Sequence, residues 1–184
     1  MIRLPYTIAF LMPGEACRIF PYYQRRLSGL CNGFETSETM HLTIKYLGYP
    51  SDPPDDRHML SLLPSIAEIA KQFVPIWVAV RGIDLFEFAC NRDPVIYLKV
   101  YPREPLFQFH QMIRKKLGSS IDQFPETDGE KYMPHISLSR EGKISAIDRI
   151  RKVIYRMRRV EKREFRLTHL VLLTHSLIYP VLPT

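Results

Sequence analysis

The stretch HLTIKYLG at residues 41–48 returns in altered form as HISLSREG at residues 135–142. Each copy has a histidine in first place, apolar residues in second and fourth place, a hydroxyl residue in third place and a glycine in eighth place. Apolar and polar residues that alternate with a period of two indicate a half-buried strand. The repeat therefore predicts two strands, each of which presents an imidazole beside a hydroxyl group on its open face.

The imidazoles of His41 and His135 would suit general acid–base cleavage of a phosphodiester if the two strands face each other. One group must take a proton from the nucleophile while another protonates the leaving oxygen, and imidazoles with a usual pKa of about 6.5 can share these tasks. The hydroxyl groups of Thr43 and Ser137 would donate hydrogen bonds to the non-bridging phosphate oxygens. We therefore expect a phosphate site that is symmetric about these side chains.

The remaining histidines of the chain do not share this pattern, because none of them has a hydroxyl residue two places later. They are His58, His110, His169 and His175. The sequence also lacks the His-x-His, His-Glu-x-x-His and paired-cysteine spacings of metal sites, and the glycine-rich loops that hold nucleotide cofactors. We therefore expect neither a metal ion nor a cofactor.

Strand and helix patterns alternate along the chain without a recognisable linker between domains. Two strand–helix–strand units with further strands between them are typical of an α+β fold with antiparallel sheets rather than of a doubly wound parallel sheet. The predicted strands are 6–12, 41–48, 76–80, 86–88, 95–101, 132–140 and 165–173. The predicted helices are 15–27, 60–72, 103–117 and a basic helix after residue 143, and residues 30–39 are predicted to form a loop.

The net charge of +7 is carried by the second half of the chain. Residues 143–166 alone hold ten lysines and arginines against three acidic residues. Such a cluster suits a polyanion. Isoleucines at helical spacing in the same segment fit the alternative that the basic residues are the solvated side of a helix, and the sequence leaves both interpretations open.

The composition is that of an ordinary globular protein, with 46% hydrophobic and 24% charged residues. The apolar runs fall short of the roughly 20 residues that span a bilayer, and the first residues lack the pattern of a secretory signal. Cys17, Cys31 and Cys90 have no metal spacing and are expected to be free thiols in a reducing compartment. We expect a cytoplasmic monomer without membrane contact.

Together, the two motifs resemble those of the 2H phosphoesterase superfamily, in particular its 2',5' RNA ligase group, also described as RNA 2',3'-cyclic phosphodiesterases. Residues 41–48 resemble the first signature nearly position for position, and residues 133–140 resemble the second, with Ser137 where threonine is more usual. The resemblance extends to residues 6–12 and 170–177. It implies one domain over residues 1–184, built from two lobes with pseudo-two-fold symmetry, in which two antiparallel sheets flank a central cleft and helices lie outside.

The resemblance also implies a metal-independent reaction, in which water opens a 2',3'-cyclic phosphate at an RNA end and leaves a 2'-phosphate. In some members the reverse reaction joins RNA ends through a 2',5' bond. By the family pattern His41 would be the general acid toward the 3' oxygen and His135 the base for water. RNA ends or cyclic nucleotides are therefore the expected partners.

Two further positions carry over from the family pattern. Tyr46 stands where the family has an aromatic residue next to the nucleobase, and such stacking is worth roughly 1 to 3 kcal/mol. Arg140 stands where the family has an arginine near the phosphate or sugar. Strict alternation turns both away from the histidines unless the strands bulge, and it places Lys45 and Ser139 on the histidine face at its solvated rim.

Other functions fit parts of the same pattern. The chain could be a phosphodiesterase that acts on a small cyclic nucleotide or on a 2',5'-linked oligoadenylate. It could also be a catalytically idle RNA-binding module. The basic second half favours RNA, and the presence of both histidines and both hydroxyl residues favours an enzyme, because binding alone needs only a basic surface.

Overall fold

A computed structural model describes residues 5–51, 55–87, 93–157, 162–174 and 177–182. Nine strands and six α-helices lie in this part of the chain. The strands are β1 Tyr6–Leu11, β2 Cys31–Phe34, β3 His41–Gly48, β4 Ile76–Phe86, β5 Val95–Tyr101, β6 His135–Gly142, β7 Arg163–Leu167, β8 Leu170–Leu173 and β9 Ile178–Pro180. The helices are α1 Gly14–Cys17, α2 Phe20–Leu27, α3 Arg57–Ser61, α4 Leu63–Phe73, α5 Glu104–Leu117 and α6 Ile147–Met157.

The strands pair antiparallel in the order β7-β4-β5-β6-β3-β1-β8-β9, and β2 pairs with β6. Between β3 and β6 the described strands share a single residue pair, Leu42 with Ile136. This weak junction separates lobe 1, which contains β3, β1, β8 and β9, from lobe 2, which contains β7, β4, β5, β6 and β2. The predicted α+β fold with antiparallel strands is confirmed, although the two predicted sheets are joined at this junction into one nine-stranded sheet.

Helices cover one face of the sheet in each lobe. In lobe 1, α4 packs on α5 and α5 lies on β3, while in lobe 2 α2 lies on β6 and α6 lies on β4. Strand β4 shows the resulting alternation, because Ile76, Val78 and Val80 are buried toward the helices while Trp77 and Arg81 are exposed. Each lobe therefore keeps an open sheet face opposite its helices, and the motif histidines lie on these faces.

Several predicted elements are confirmed at their predicted places. Strands β3 and β5 have the predicted bounds, and β1 and β6 lie within a few residues of theirs. Helix α5 ends at Leu117 and is followed by Gly118, whose φ of +49° favours glycine because it has no Cβ. The helices predicted over 15–27 and 60–72 are each divided in two, and the second break precedes Leu63 and Pro64, the first two residues of α4.

The prediction of one strand over residues 165–173 is wrong. Strand β7 pairs with β4 in lobe 2, whereas β8 pairs with β1 in lobe 1, so the chain crosses between the lobes at Thr168 and His169. Apolar residues flank this crossing on both sides, and therefore the pattern does not reveal it. The predicted loop over 30–39 contains β2, and the strands predicted at 76–80 and 86–88 are joined in β4, with residue 88 outside the described part.

The basic residues of segment 143–166 that the structure describes lie on both sides of lobe 2. Helix α6 buries Ile150 and Met157 and exposes Arg149 and Lys152 on the helical side, as a solvated helix face would. Arg166 of β7 is exposed and pairs with Trp77 on the open face of the sheet. Within the described residues, no helix is long and apolar enough to cross a membrane.

Candidate functional site

The residues of both motifs meet where the two lobes join. Because Leu42 pairs with Ile136, the residues on either side of this pair come together from β3 and β6. One cavity of about 320 Å³ is lined by His41, Thr43, His135 and Ser137. The structure thus brings the side chains of the two motifs into one space, which we call the histidine cavity.

The two histidine rings are held by the same kind of hydrogen bond. His41 Nδ1 lies 2.7 Å from the carbonyl oxygen of Thr39, and His135 Nδ1 lies 2.8 Å from that of Met133. A carbonyl oxygen can only accept, so Nδ1 carries the proton in each ring. Each neutral imidazole therefore has its free lone pair on Nε2.

The hydroxyl groups of Thr43 and Ser137 belong to half-buried side chains on the wall of the histidine cavity. Among the described residues, neither hydroxyl makes a hydrogen bond to another group. By contrast, the hydroxyl group of Ser139 donates to the carbonyl oxygen of Asn32 and accepts from Glu141 N. Hydroxyl groups that keep their hydrogen-bonding capacity in a cavity can donate to an anionic ligand.

Both motif strands contain a bulge directly after the hydroxyl residue. The register of β1 with β3 shifts around Ile44 and Lys45, and the register of β5 with β6 shifts around Leu138 and Ser139. In each strand the two residues of the bulge are both buried, so the alternation of faces is reversed beyond it. The residue that follows the bulge therefore returns to the histidine face.

Tyr46 and Arg140 are the residues that the bulges return to the open side. Both line the histidine cavity. The prediction that Lys45 and Ser139 lie at the solvated rim is wrong, because these residues are 1% and 0% exposed. A strict period of two does not allow for the extra residue of a bulge. The bulge occurs at the same place in both motifs.

The buried Lys45 ammonium is surrounded by groups that compensate its charge. Its Nζ lies 3.0 Å from Asp128 Oδ2, donates to the carbonyl oxygen of Tyr46 and lies 5.0 Å from the centre of the Phe124 ring. Burial lowers the pKa of Lys45, and Asp128 opposes this shift. This ion pair ties the loop that contains Asp128 to the bulge of β3.

His110 of α5 and Tyr132 form hydrogen bonds with the backbone of β3. His110 Nδ1 lies 2.7 Å from the carbonyl oxygen of Ile44, and its Nε2 accepts from Gly129 N at 3.3 Å. The Tyr132 ring stacks on His110 at 4.2 Å, and its hydroxyl donates to the carbonyl oxygen of Thr43. These contacts fix the backbone that carries Thr43 and Tyr46.

The surroundings of the two motif histidines differ. His135 lies edge-on against Phe86 and Tyr97, at ring-centre distances of 4.9 and 5.4 Å. On the other side, Arg140 forms a salt bridge with Glu35 and contributes to the field at His41. Burial lowers the pKa of both histidines, and the charge of Arg140 lowers both further.

The glycine that ends each motif allows a close approach of another segment. A Cβ on Gly142 would lie 2.8 Å from the backbone oxygen of Pro94 and 2.5 Å from Ile96 Cδ1. A Cβ on Gly48 would lie 2.9 Å from Asp122 Oδ2. A larger residue at Gly142 would displace the backbone of Pro94. At Gly48 the φ of +150° is a conformation that residues with a side chain rarely adopt.

A second, wider space opens from the histidine cavity toward lobe 1. It measures about 820 Å³, shares His41, Tyr46 and Arg140 with the histidine cavity, and contains the rings of Phe124 and Tyr49. Phe124 lies 5.6 Å from Tyr46 and 5.8 Å from Tyr49, so the three rings form a continuous aromatic wall. We call this space the aromatic groove.

Sequence reasoning missed the supporting residues Asp128, Tyr132, Glu35 and Phe86. One signal was present for His110, which occupies the apolar face of α5 with Leu106, Phe109, Ile113 and Leu117. A histidine in such a position requires a buried partner. The other histidines outside the motifs, His58 and His169, lie away from the cavity, and His175 is outside the described residues.

The described residues contain no group of three or more His, Cys, Asp or Glu side chains that could hold a metal ion.

A family model described as the 2'-5' RNA ligase superfamily matches residues 28–177, which include both motifs and the bulges after them. The chain belongs to this superfamily. The resemblance inferred from the two motifs is thereby confirmed, whereas no curated protein sequence matches the chain.

Solved structures with the same fold cover nearly the whole chain. LigT of E. coli in its apo form is 15% identical with a TM-score of 0.58, over 98% of this chain and 94% of LigT. TT0787 of Thermus thermophilus is 15% identical with a TM-score of 0.60, over 97% of this chain and 98% of TT0787. LigT complexed with 3'-AMP is 14% identical with a TM-score of 0.55, over 98% and 94% of the two chains. At these identities the likeness establishes the fold alone.

Proposed function

We propose that this protein hydrolyses 2',3'-cyclic phosphate ends of RNA to 2'-phosphates without a metal ion. The observation that carries the proposal is the pair of histidines in one cavity, each with Nδ1 bonded to a backbone carbonyl and Nε2 left for a ligand. Membership of the 2'-5' RNA ligase superfamily supports it.

In the proposed reaction a water molecule attacks phosphorus and transfers its proton to Nε2 of His135. The bond between phosphorus and the 3' oxygen breaks, and His41 Nε2 donates a proton to that oxygen. The product has a 2'-phosphate and a free 3'-hydroxyl group, and the proton gained by one histidine equals the proton lost by the other. General acid–base catalysis by each positioned side chain contributes typically 10²- to 10⁴-fold.

Thr43 and Ser137 would stabilise the charge that develops on the non-bridging oxygens. Their hydroxyl groups have no other partner among the described residues, and one comes from each lobe. Donors that are in place before the reaction stabilise the transition state without reorganisation. Arg140 adds a positive charge at the same cavity, and Glu35 orients its guanidinium group.

The aromatic groove would hold the base of the terminal nucleotide. Tyr46 lies at the boundary between the histidine cavity and this groove, and Phe124 and Tyr49 continue the wall beyond it. Every nucleobase has a face that can stack on such rings. This favours a nucleotide substrate over a simple phosphate ester.

Product analysis tests the proposal directly. The protein is incubated with a nucleoside 2',3'-cyclic phosphate, with and without EDTA, and the products are separated. We expect the nucleoside 2'-phosphate to accumulate equally in both samples, and no product from the variant with His41→Ala and His135→Ala together. Formation of the 3'-phosphate would reverse the proposed orientation, and strong inhibition by EDTA would contradict the metal-independent mechanism.

The alternative substrates can be tested in the same assay. A 5'-hydroxyl group in place of water would turn the reaction into 2',5' joining of RNA ends, which a labelled acceptor oligonucleotide detects. Turnover of 2',5'-linked oligoadenylate or of a small cyclic nucleotide without turnover of RNA ends would favour the alternative phosphodiesterases. RNA binding without any turnover would identify a catalytically idle module.

A further inference from the structure

The open sheet face of lobe 2 continues well beyond the histidine cavity. His135 of β6 pairs with Lys99 of β5, and the next residue of β5 on the same face is Tyr101. Tyr101 pairs with Ala79 of β4, and Trp77 is the next residue of β4 on that face. One uninterrupted face of the sheet thus connects the histidine to the tryptophan.

The far end of this face exposes an aromatic surface. Trp77 is 64% exposed and Tyr101 is 38% exposed. Together with Pro102, Lys162 and Glu164 they line a surface pocket of about 470 Å³. A tryptophan so exposed on a sheet face indicates a contact site, because large aromatic side chains are usually buried for most of their surface.

The charge around these rings is positive. The Arg103 guanidinium group lies 5.4 Å from the centre of the Tyr101 ring, and Arg166 pairs with Trp77 across the strands. Neither arginine forms a salt bridge with an acidic residue in the described part of the chain. The acidic residues of the face are already engaged, Asp84 with Lys99 and Glu164 with Lys162.

The distance from the histidine to the tryptophan fits a strand of several nucleotides. Strand rise and strand spacing give about 17 Å from His135 across Lys99 and Tyr101 to Trp77. Exposed aromatic rings between unpaired arginines are the combination with which proteins bind single-stranded nucleic acids, through base stacking and phosphate contacts. The face leads directly into the cavity where the phosphate would react.

We propose that the open face of lobe 2 is a binding track for single-stranded RNA, on which Trp77 and Tyr101 stack bases and Arg103 and Arg166 contact phosphates. This inference rests on the proposed function, because it identifies the substrate as an oligoribonucleotide whose nucleotides upstream of the cyclic phosphate follow the sheet. We call this surface the lobe 2 track.

Trp77 is the only tryptophan in the sequence, so its fluorescence reports on the lobe 2 track alone. The test is a titration with a single-stranded RNA of about eight nucleotides, within the range of site sizes that such surfaces cover. We expect binding to quench the fluorescence. Tyr101→Ala should weaken the affinity by about 5- to 100-fold, and Arg166→Gln should reduce the dependence of the affinity on salt.

Tyr22→Ala is a matched control. Tyr22 has a similar exposure of 40%, and its ring also has an arginine above it, Arg26 at 5.5 Å. It lies on α2, on the helical side of lobe 2, opposite the open face. We expect the control variant to bind RNA like the unchanged protein. Equal losses in the Tyr22 and Tyr101 variants would overturn the proposal.

A kinetic comparison separates this inference from the proposed function. With an RNA of the same length that ends in a 2',3'-cyclic phosphate, Tyr101→Ala should raise KM about tenfold more than it does with a nucleoside 2',3'-cyclic phosphate. If the unchanged protein turns over neither substrate, the proposed function fails while the fluorescence titration still decides the inference. Unchanged fluorescence at saturating RNA would overturn the inference. Dimerisation that Trp77→Ala abolishes would also overturn it, since the face would then bind a second copy.

Discussion

His41 and His135 are related by more than sequence, because each ring donates from Nδ1 to the carbonyl oxygen of the residue two places earlier. The two hydrogen bonds differ by only 0.1 Å in length, since they measure 2.7 and 2.8 Å. The equivalence fixes the same tautomer in both lobes and offers two Nε2 atoms to one cavity. It explains how a single ligand could meet an acid and a base of identical chemistry.

Removal of either ring should abolish most of the proposed activity. We expect His41→Ala and His135→Ala each to lower kcat by about 10²- to 10⁴-fold with little change in RNA affinity, because these rings transfer protons rather than hold the strand. His58→Ala is the matched control, since the His58 ring bonds to Ser120 on the surface and does not line the cavity. Steady-state kinetics with binding measurements test this, and full activity of the double variant would exclude the mechanism.

The dependence of the rate on pH should reflect the lowered pKa of both histidines. The acid must be protonated in the free enzyme, so kcat/KM falls as pH rises through its pKa, which burial places below the usual value of about 6.5. Arg140→Gln removes a charge that lowers the pKa of both rings. We therefore expect the Arg140→Gln variant to have a lower kcat/KM than the unchanged protein. Its kcat/KM should begin to fall at a higher pH, because the pKa of the acid is higher. The same pH profile in both proteins would contradict this account.

The buried ion pair of Lys45 and Asp128 should matter for stability more than for chemistry. Asp128→Asn leaves a lysine that is 0% exposed in its side chain without its counter-charge, a change that typically costs about 3 to 5 kcal/mol. We expect the variant with Lys45→Met and Asp128→Asn together to be more stable than Asp128→Asn alone. Urea unfolding measures both, and additive losses would show that the charge pairing is unimportant.

Tyr46 should contribute to substrate binding through its ring and not its hydroxyl group. We expect Tyr46→Ala to raise KM for a nucleoside 2',3'-cyclic phosphate by about 5- to 100-fold, the equivalent of about 1 to 3 kcal/mol of stacking. Tyr46→Phe should retain the KM of the unchanged protein, because the phenylalanine ring can still stack on the base and on Phe124. An equal loss in both variants would assign the effect to the hydroxyl group.

The sequence predicted the positions of the motif histidines and hydroxyl residues better than those of the residues that follow them. His41, Thr43, His135 and Ser137 lie before the bulges, where a period of two still holds, and they line one cavity as predicted. At the bulges the period is broken, and Lys45 and Ser139 are buried instead of lying at the predicted rim. A bulge depends on buried partners from other elements, such as Asp128, and no local pattern encodes those partners.

The same limit applies to the fold. Strand β5 and helix α5 were predicted closely because their own residues carry strong β-branched and helical patterns. Strand β2 is short and polar and is held by its pairing with β6, so its sequence resembles a loop. The division of residues 165–173 depends on which neighbours each half pairs with, and these neighbours lie in different lobes.

The crossing of the chain between β7 and β8 has a consequence for unfolding. Lobe 1 takes strands from the start, the middle and the end of the described chain, and lobe 2 takes the segments between them. Neither lobe is encoded by one contiguous stretch, so neither can be excised by proteolysis and retain its sheet. We expect a single cooperative transition in calorimetry, with equal calorimetric and van't Hoff enthalpies.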